Sequence, residues 1–218
     1  MTRRQKTRLT LAAALLLLVL GKSLLARCQH QDASGTSKAS TVGSSCMTPE
    51  ERSSFDREAL FGSWRDDDGD CRNTRAEILQ ASSSTKVDGG CSISAGAWHD
   101  PYTGDTIRRP KDLDIDHIVP LKEAWLSGAW TWTREERIAF ANAPEVLLAV
   151  GKSANRAKSD KDPAEWLPPD ASYHREYARR WAAIKVEHRL AADPRERATL
   201  KRLGVSELPR EAPEGCLP

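Results

Sequence analysis

Two stretches of the sequence can form the strands of one small sheet, and helix signals surround both of them. Residues 112–119 alternate polar and apolar side chains, as a half-buried strand does. Residues 146–150 are a continuous apolar run that is long enough only for a buried strand. Four residues that favour the N-cap of a helix stand three positions before a glutamate: Thr48, Thr133, Asp162 and Asp193. The sequence therefore predicts a helix-rich α+β fold, a single domain over residues 48–218 with a small antiparallel sheet.

Periodicity and turn residues predict further elements. The first helix is expected from Thr48 to about Phe61, and a short polar helix over residues 153–159. Short strands are expected near residues 91–93 and 97–98. Large apolar side chains that recur every three or four residues mark an amphipathic helix over about 171–192: Tyr173, Tyr177, Trp181 and Ile184.

The N-terminal segment has the pattern of an export signal. Basic residues precede the run from Leu9 to Leu20, which is apolar apart from Thr10 and shorter than the roughly 20 residues of a membrane-spanning helix. Residues 1–27 are therefore predicted to be a signal peptide or, if uncleaved, a membrane anchor over residues 9–26; lipidation at Cys28 is a further alternative. Residues 28–47 are rich in Ser, Thr and Gly and are predicted to form a flexible tether. We expect a secreted or extracytoplasmic protein that meets a membrane only through this segment.

The composition excludes two classes of protein. Hydrophobic residues make up 39% of the chain and charged residues 29%, so neither a fully disordered chain nor a polytopic membrane protein fits. The net charge of +2 depends on the N-terminal segment, because residues 28–218 contain 27 basic and 31 acidic residues. Within residues 28–218, basic residues are in excess only after residue 150, where 14 stand against 11 acidic ones. This excess fits a surface that faces nucleic acid, although ion pairs within helices account for part of it.

The cysteines are expected to form disulfide bonds, because an exported protein meets an oxidising environment. With Cys28 set aside, four cysteines remain, and they allow three connectivities. The pairing that we favour joins Cys71 to Cys91 across a local loop and Cys46 to Cys216 at the two ends of the domain. A zinc site is not indicated, since the sequence contains no C-x-x-C pair.

An aspartate directly followed by a histidine closes the first predicted strand. Adjacent strand residues point in different directions, so Asp116 can hold a metal ion while His117 acts as a base. Asn155, on the helix predicted after the second strand, can supply a neutral oxygen ligand. Hydrolysis of a phosphodiester needs a base for water and a hard cation at the reacting oxygens. Carboxylate and amide oxygens suit Mg²⁺ or another divalent cation such as Mn²⁺.

The same segments resemble the secreted bacterial HNH, or His-Me finger, endonucleases, whose site is a ββα-metal motif. The resemblance covers roughly residues 50–200 and is carried by residues 61–64, 71 with 74–75, 98–104, 116–121, 124–125 with 127–129, and 154–163. Residues 114–121 and 153–168 are also similar to the HNH nuclease domain of RNA-guided DNA-cutting enzymes. The resemblance implies an HNH endonuclease domain over residues 48–218, with His117 as the general base and Asp116 and Asn155 as the Mg²⁺ ligands.

The resemblance also implies contacts to phosphate. Arg156 and Lys158, beside Asn155 on the same helix, are expected to bind phosphates without reading sequence. Arg75 is expected to make a further phosphate or structural contact. Asp114 is expected to support the metal ligands from behind, or else to be an exposed carboxylate bonded to a loop.

One position departs from the family pattern. The family has an asparagine just before the second strand, where it braces the loop that carries the histidine, and Val146 stands there instead. Asn142 and Glu145 are the candidates to replace it. We expect a monomeric endonuclease that cuts DNA, double-stranded DNA above all and RNA as a further substrate, with low sequence specificity, because no base-reading module is visible. The alternative is a non-catalytic, membrane-tethered nucleic-acid-binding protein on an HNH scaffold that Val146 has disabled.

Overall fold

Helices surround short strands throughout the described part of the chain. The computed structural model of the protein describes residues 46–213 and residue 216. The α-helices in this part are α1 (Pro49–Ser53), α2 (Arg57–Phe61), α3 (Thr74–Ser82), α4 (Leu121–Ser127), α5 (Arg134–Asn142), α6 (Lys152–Lys158), α7 (His174–Glu187) and α8 (Pro194–Arg202). The strands are β1 (Trp98–His99), β2 (Thr106–Ile107), β3 (Leu113–His117), β4 (Leu147–Gly151), β5 (Ala191–Ala192) and β6 (Arg210–Glu211). Single turns of 3₁₀ helix occupy Pro110–Asp112, Ala129–Thr131, Pro144–Val146 and Ala171–Tyr173.

The predictions for the N-terminus fall almost entirely outside this part. The signal peptide or anchor, the lipidation site and all but the last two tether residues precede residue 46. Among the described residues, no helix has the length and apolar character needed to cross a membrane.

The two strands predicted from the sequence pair with each other and lead into a helix. β3 and β4 are antiparallel, with Asp116 opposite Leu148 and His117 opposite Leu147. α6 begins directly after β4, so the order strand, strand, helix is the one predicted. β1 and β2 form a second antiparallel pair, whereas β5 and β6 are parallel. The α+β prediction is confirmed, and its antiparallel sheet is one of three two-stranded pairs among the described residues.

Three element predictions differ from the structure. The helix expected from Thr48 to Phe61 is two helices, because Asp56 accepts hydrogen bonds from the backbone of Glu58 and Ala59 and so begins a new helix. The strand expected at residues 91–93 is absent from the described structure, where Asp88 and Ala95 form a single bridge instead. β1 begins one residue later than expected.

The core draws its large side chains from most of these elements. Fully buried aromatic residues come from α2, β1, the loop after β1 and α7: Phe61, Trp98, Tyr102, Tyr177 and Trp181. Leu113 and Ile115 of β3 are buried on the face opposite Asp114. One face of β3 thus packs on the core, and the other face carries the carboxylates of Asp114 and Asp116.

The four remaining cysteines pair as favoured from the sequence. Cys46 is bonded to Cys216 and Cys71 to Cys91. Cys71 lies in an acidic turn, in which the carboxylate of Asp66 accepts hydrogen bonds from the backbone N–H groups of Gly69 and Cys71. The disulfides join the two ends of the described part and tie the acidic turn to residue 91.

A buried lysine joins three helices through two carboxylates. The Nζ atom of Lys185 lies 2.6 Å from Oε1 of Glu123 and 2.7 Å from Oε2 of Glu196. Nζ also donates to the carbonyl of Ala191, while Trp181 Nε1 donates to the other oxygen of Glu196. Burial raises the pKa of Glu196 to about 7, against the opposing effect of Lys185. One ammonium group cannot neutralise two buried carboxylates, so Glu196 holds its proton more tightly than an exposed glutamate.

The protein is expected to lose stability between about pH 4.5 and pH 7 through Glu196. The folded state keeps this proton to a higher pH than the unfolded chain, so the free energy of unfolding falls as pH rises through this window. Glu196→Gln imitates the protonated carboxyl and should remove about 3 kcal/mol of that pH dependence. Urea unfolding of both proteins at several pH values measures the difference. Parallel pH profiles would contradict the prediction.

Candidate active site

His117, the last residue of β3, is fixed on two sides. Its ring stacks on Trp64, with an angle of 4° between the planes and 5.4 Å between the centroids. Its Nε2 atom lies 2.9 Å from the carbonyl oxygen of Ala141 at the end of α5. A carbonyl oxygen only accepts hydrogen bonds, so Nε2 carries the proton. The neutral imidazole therefore has its lone pair on Nδ1.

Nδ1 of His117 is available to accept a proton. Nδ1 has no hydrogen-bond partner among the described residues. The side-chain atoms there that are both fully buried and unpaired are Tyr177 Oη and His188 Nε2, so Nδ1 is not a fully buried atom. Nδ1 thus keeps contact with solvent, although the whole residue is only 6% exposed. Burial lowers the pKa of His117 to about 3, the Ala141 carbonyl opposes this shift, and Arg57 and Lys158 add to it. The imidazole is consequently neutral at neutral pH, which is the form a general base needs.

Asn142 braces the segment that holds the histidine. It is the residue after Ala141, and its side chain reaches across to the loop that carries Trp64. Its Oδ1 accepts from Arg65 N and Thr74 Oγ1, and its Nδ2 donates to Ser63 O and Ile138 O. Glu145, the other candidate to replace the family asparagine, is exposed. Val146 itself is fully buried, and its carbonyl accepts from Ile118 N.

Asp116 is bonded within the protein through both of its oxygens. Tyr102 Oη donates to Oδ2 at 2.6 Å, and Lys158 Nζ donates to Oδ1 at 2.9 Å. The same ammonium donates to the backbone carbonyl of His117 at 2.9 Å. Burial raises the pKa of Asp116, while Lys158 and Tyr102 oppose that shift. The carboxylate expected to bind a metal is therefore already neutralised by a lysine.

Asn155 contacts a different carboxylate from the one expected. Its Nδ2 lies 3.3 Å from Oδ2 of Asp114, two residues before Asp116 on the same face of β3. Both Asp114 and Asn155 are half-buried, whereas Asp116 is only 6% exposed. The structure thus brings Asn155 to Asp114, whereas the sequence led us to expect Asn155 to share a metal ion with Asp116. The reason is the ammonium of Lys158, which occupies the Asp116 carboxylate.

The sequence comparisons identify the family of this arrangement. Residues 70–201, more than half of the chain, match the family described as GmrSD restriction endonucleases, C-terminal domain. The chain belongs to this family. The match includes β3, β4 and α6, and so covers His117, Asp114 and Asn155.

The chain is also similar to a protein of Arthroderma benhamiae that is described as an uncharacterized secreted protein. The identity is 40% over 143 residues, which are 64% of this chain and 70% of that protein. No solved structure matches the chain. The relative is fungal, so similarity to this GmrSD-type domain is not confined to bacterial proteins.

The basic residues predicted to bind phosphate have separate positions in this GmrSD-type domain. Lys158 is fully buried and paired with Asp116, so in this structure it presents no exposed charge to a phosphate. Arg75 makes the structural contact that was its alternative, since its Nη2 donates to the carbonyls of Leu113 and Pro110. Arg156 is exposed on α6, with no bond to another described residue. It is the predicted phosphate ligand that remains accessible.

Sequence reasoning missed three groups at this site. Trp64 and Tyr102 both stand in segments that resemble the nuclease family, which was the signal available for them. The role of the Ala141 carbonyl could not be predicted, because every residue has a backbone oxygen and the residue type does not distinguish this one. It is brought to His117 by packing between α5 and the β3–β4 pair, 24 residues away along the chain.

Proposed function

We propose that the chain is a secreted, divalent-metal-dependent endonuclease that hydrolyses phosphodiester bonds of DNA. The observation that carries this proposal is the state of His117: the carbonyl of Ala141 accepts from its Nε2–H, and its neutral Nδ1 makes no hydrogen bond to a described residue. Membership of a family of restriction endonuclease C-terminal domains supports the nucleic-acid substrate. The two disulfides and the secreted relative support export.

His117 is proposed to take the proton from the attacking water. The lone pair on Nδ1 accepts it, and the imidazolium that forms is stabilised through Nε2–H by the carbonyl of Ala141. Trp64 keeps the ring in its plane, and Lys158 holds the backbone carbonyl of the same residue. The base is therefore oriented before any substrate binds.

The oxygen donors on the β3 face fit a hard divalent cation. Asp114 offers a carboxylate, and Asn155 offers an amide oxygen without a partner among the described residues. We propose Asp114 and Asn155 as the direct ligands of Mg²⁺ or Mn²⁺, with Asp116 bonded behind them. When bound, such an ion stabilises the charge that develops on the phosphate and on the leaving oxygen.

The substrate is proposed to be double-stranded DNA, bound with little sequence preference. Arg156 extends from α6 one residue after Asn155, where a guanidinium group can hold a phosphate without reading a base. We also propose that the protein acts as a monomer. RNA as a second substrate follows from the same backbone chemistry.

A plasmid assay tests the proposed function. The purified protein is expected to convert supercoiled plasmid to nicked and linear forms with Mg²⁺, and EDTA should stop the reaction. Binding of the plasmid without cleavage would favour the non-catalytic nucleic-acid-binding alternative. Neither binding nor cleavage would reject both.

The metal assignment gives a separate prediction. Asp114→Asn and Asn155→Ala should each raise the Mg²⁺ concentration needed for half-maximal cleavage by about tenfold or more, since each removes a ligand oxygen or its charge. Asp112→Asn is the matched control, because this aspartate lies two residues before Asp114, in the 3₁₀ turn that precedes β3, and is paired with Arg109. If Asp116→Asn shifts the Mg²⁺ titration and Asp114→Asn leaves it unchanged, the pairing expected from the sequence is the correct one.

A further inference from the structure

A cleft adjoins Trp64, the residue on which the His117 ring stacks. It has a volume of about 410 Å³ and is lined by Asp56, Arg57, Glu58, Gly62, Ser63 and Trp64. The guanidinium carbon of Arg57 lies 5.9 Å from the centroid of the Trp64 ring, whose other neighbour is the stacked His117 ring. The cleft therefore adjoins the proposed base through a single aromatic side chain.

Arg57 is a cation without an anionic partner. The side chain is exposed, and among the described residues it makes neither an ion pair nor a hydrogen bond. The carboxylate of Asp56 is turned toward its own helix, where Oδ1 accepts from the backbone N–H groups of Glu58 and Ala59. The positive charge of Arg57 is near enough to lower the pKa of His117. Such a group can bind an anion without first giving up a partner.

The scaffold under this cleft is rigid. Gly62 ends α2 with a φ of +68°, which side-chain-bearing residues rarely adopt, and its position lies against Ile138 of α5. Asn142 bonds to the backbone on both sides of Trp64, at Ser63 and Arg65. Arg57 and Trp64 are thus presented by segments that are fixed to α5, the helix that also positions the Ala141 carbonyl.

We infer that Arg57 and Trp64 form a binding subsite for the nucleic-acid strand next to the cleaved bond. The guanidinium group binds a backbone phosphate, because its planar set of N–H donors matches phosphate oxygens. The half-buried ring of Trp64 lies where the sugar or base of that nucleotide packs. This inference rests on the proposed nuclease function and adds a phosphate contact outside the region that matches the family.

The salt dependence of DNA binding tests the subsite. A short labelled duplex is titrated with the full chain in EDTA, so that no cleavage occurs, at several NaCl concentrations. Arg57→Gln should weaken binding about tenfold at low salt and reduce the slope of log K against log[NaCl] by about 0.9, the value for one lost phosphate contact. Arg57→Lys should retain the slope, since the charge is kept.

Arg65→Gln is the matched control. It removes the same charge from the same segment, but Arg65 is already paired with Asp67 at 2.6 Å, so its substitution should leave the slope unchanged. Equal slopes for Arg57→Gln and the wild type would overturn the subsite, as would equal losses from Arg57→Gln and Arg65→Gln. If the wild type cleaves plasmid and Arg57→Gln binds DNA as tightly as the wild type, the subsite alone is rejected. If the wild type neither binds nor cleaves DNA, the proposed function is rejected together with the subsite.

Discussion

Replacing His117 with alanine is expected to lower the cleavage rate about 10²- to 10⁴-fold, the range found when a general base is removed. The imidazole is the only described group at this site that is neutral, oriented and equipped with a free lone pair on a nitrogen. Its Nε2–H is held by the Ala141 carbonyl, so Nδ1 is the ring nitrogen that can accept a proton. The rate of plasmid nicking in saturating Mg²⁺ measures the effect.

His99→Ala is the control for this substitution. His99 is exposed on β1, pairs with Thr106 across the small β1–β2 sheet and should give wild-type cleavage. DNA binding in EDTA should be nearly unchanged in His117→Ala, because the buried imidazole carries no charge for a phosphate to meet. Cleavage that survives His117→Ala would remove this residue from the mechanism and would require another base.

The central motif could be predicted because its information is local. The polar–apolar alternation of β3 and the apolar run of β4 each lie within a few residues, and both strands form where expected. The same holds for α6, which follows the turn at Gly151. Local patterns are readable because a strand or helix of this length depends mainly on its own sequence and on one buried face.

The partners of the site residues could not be predicted, because they depend on contacts between distant segments. No local pattern in the sequence indicates that Lys158, 42 residues after Asp116, is the counter-ion of Asp116. Both residues matched the nuclease pattern, so the resemblance assigned them to metal and phosphate. The packed protein joins them to each other. The break between α1 and α2 had a local signal in the N-cap Asp56, but the capping box at Thr48 suggested one longer helix.

The buried pair of Lys158 and Asp116 gives the second large effect, on stability. Lys158→Met should lower the free energy of unfolding by about 3–5 kcal/mol, because it leaves the Asp116 carboxylate buried without a counter-ion. Lys122→Met is the matched control. That lysine also forms an ion pair with an aspartate, Asp160, at 2.6 Å, but both side chains are more than 40% exposed. Its loss should cost less than about 1 kcal/mol.

A double-mutant cycle separates the lost ion pair from the lost packing of the lysine side chain. Lys158→Met combined with Asp116→Asn leaves no buried charge, so the double variant should be more stable than Lys158→Met alone. Urea unfolding of the four proteins gives the coupling energy. The same lysine bonds the His117 carbonyl, so the double variant should recover stability without recovering cleavage. Equal costs for Lys158→Met and Lys122→Met would show that Asp116 does not depend on this ammonium, and Asp116 would then be free to bind the metal ion directly.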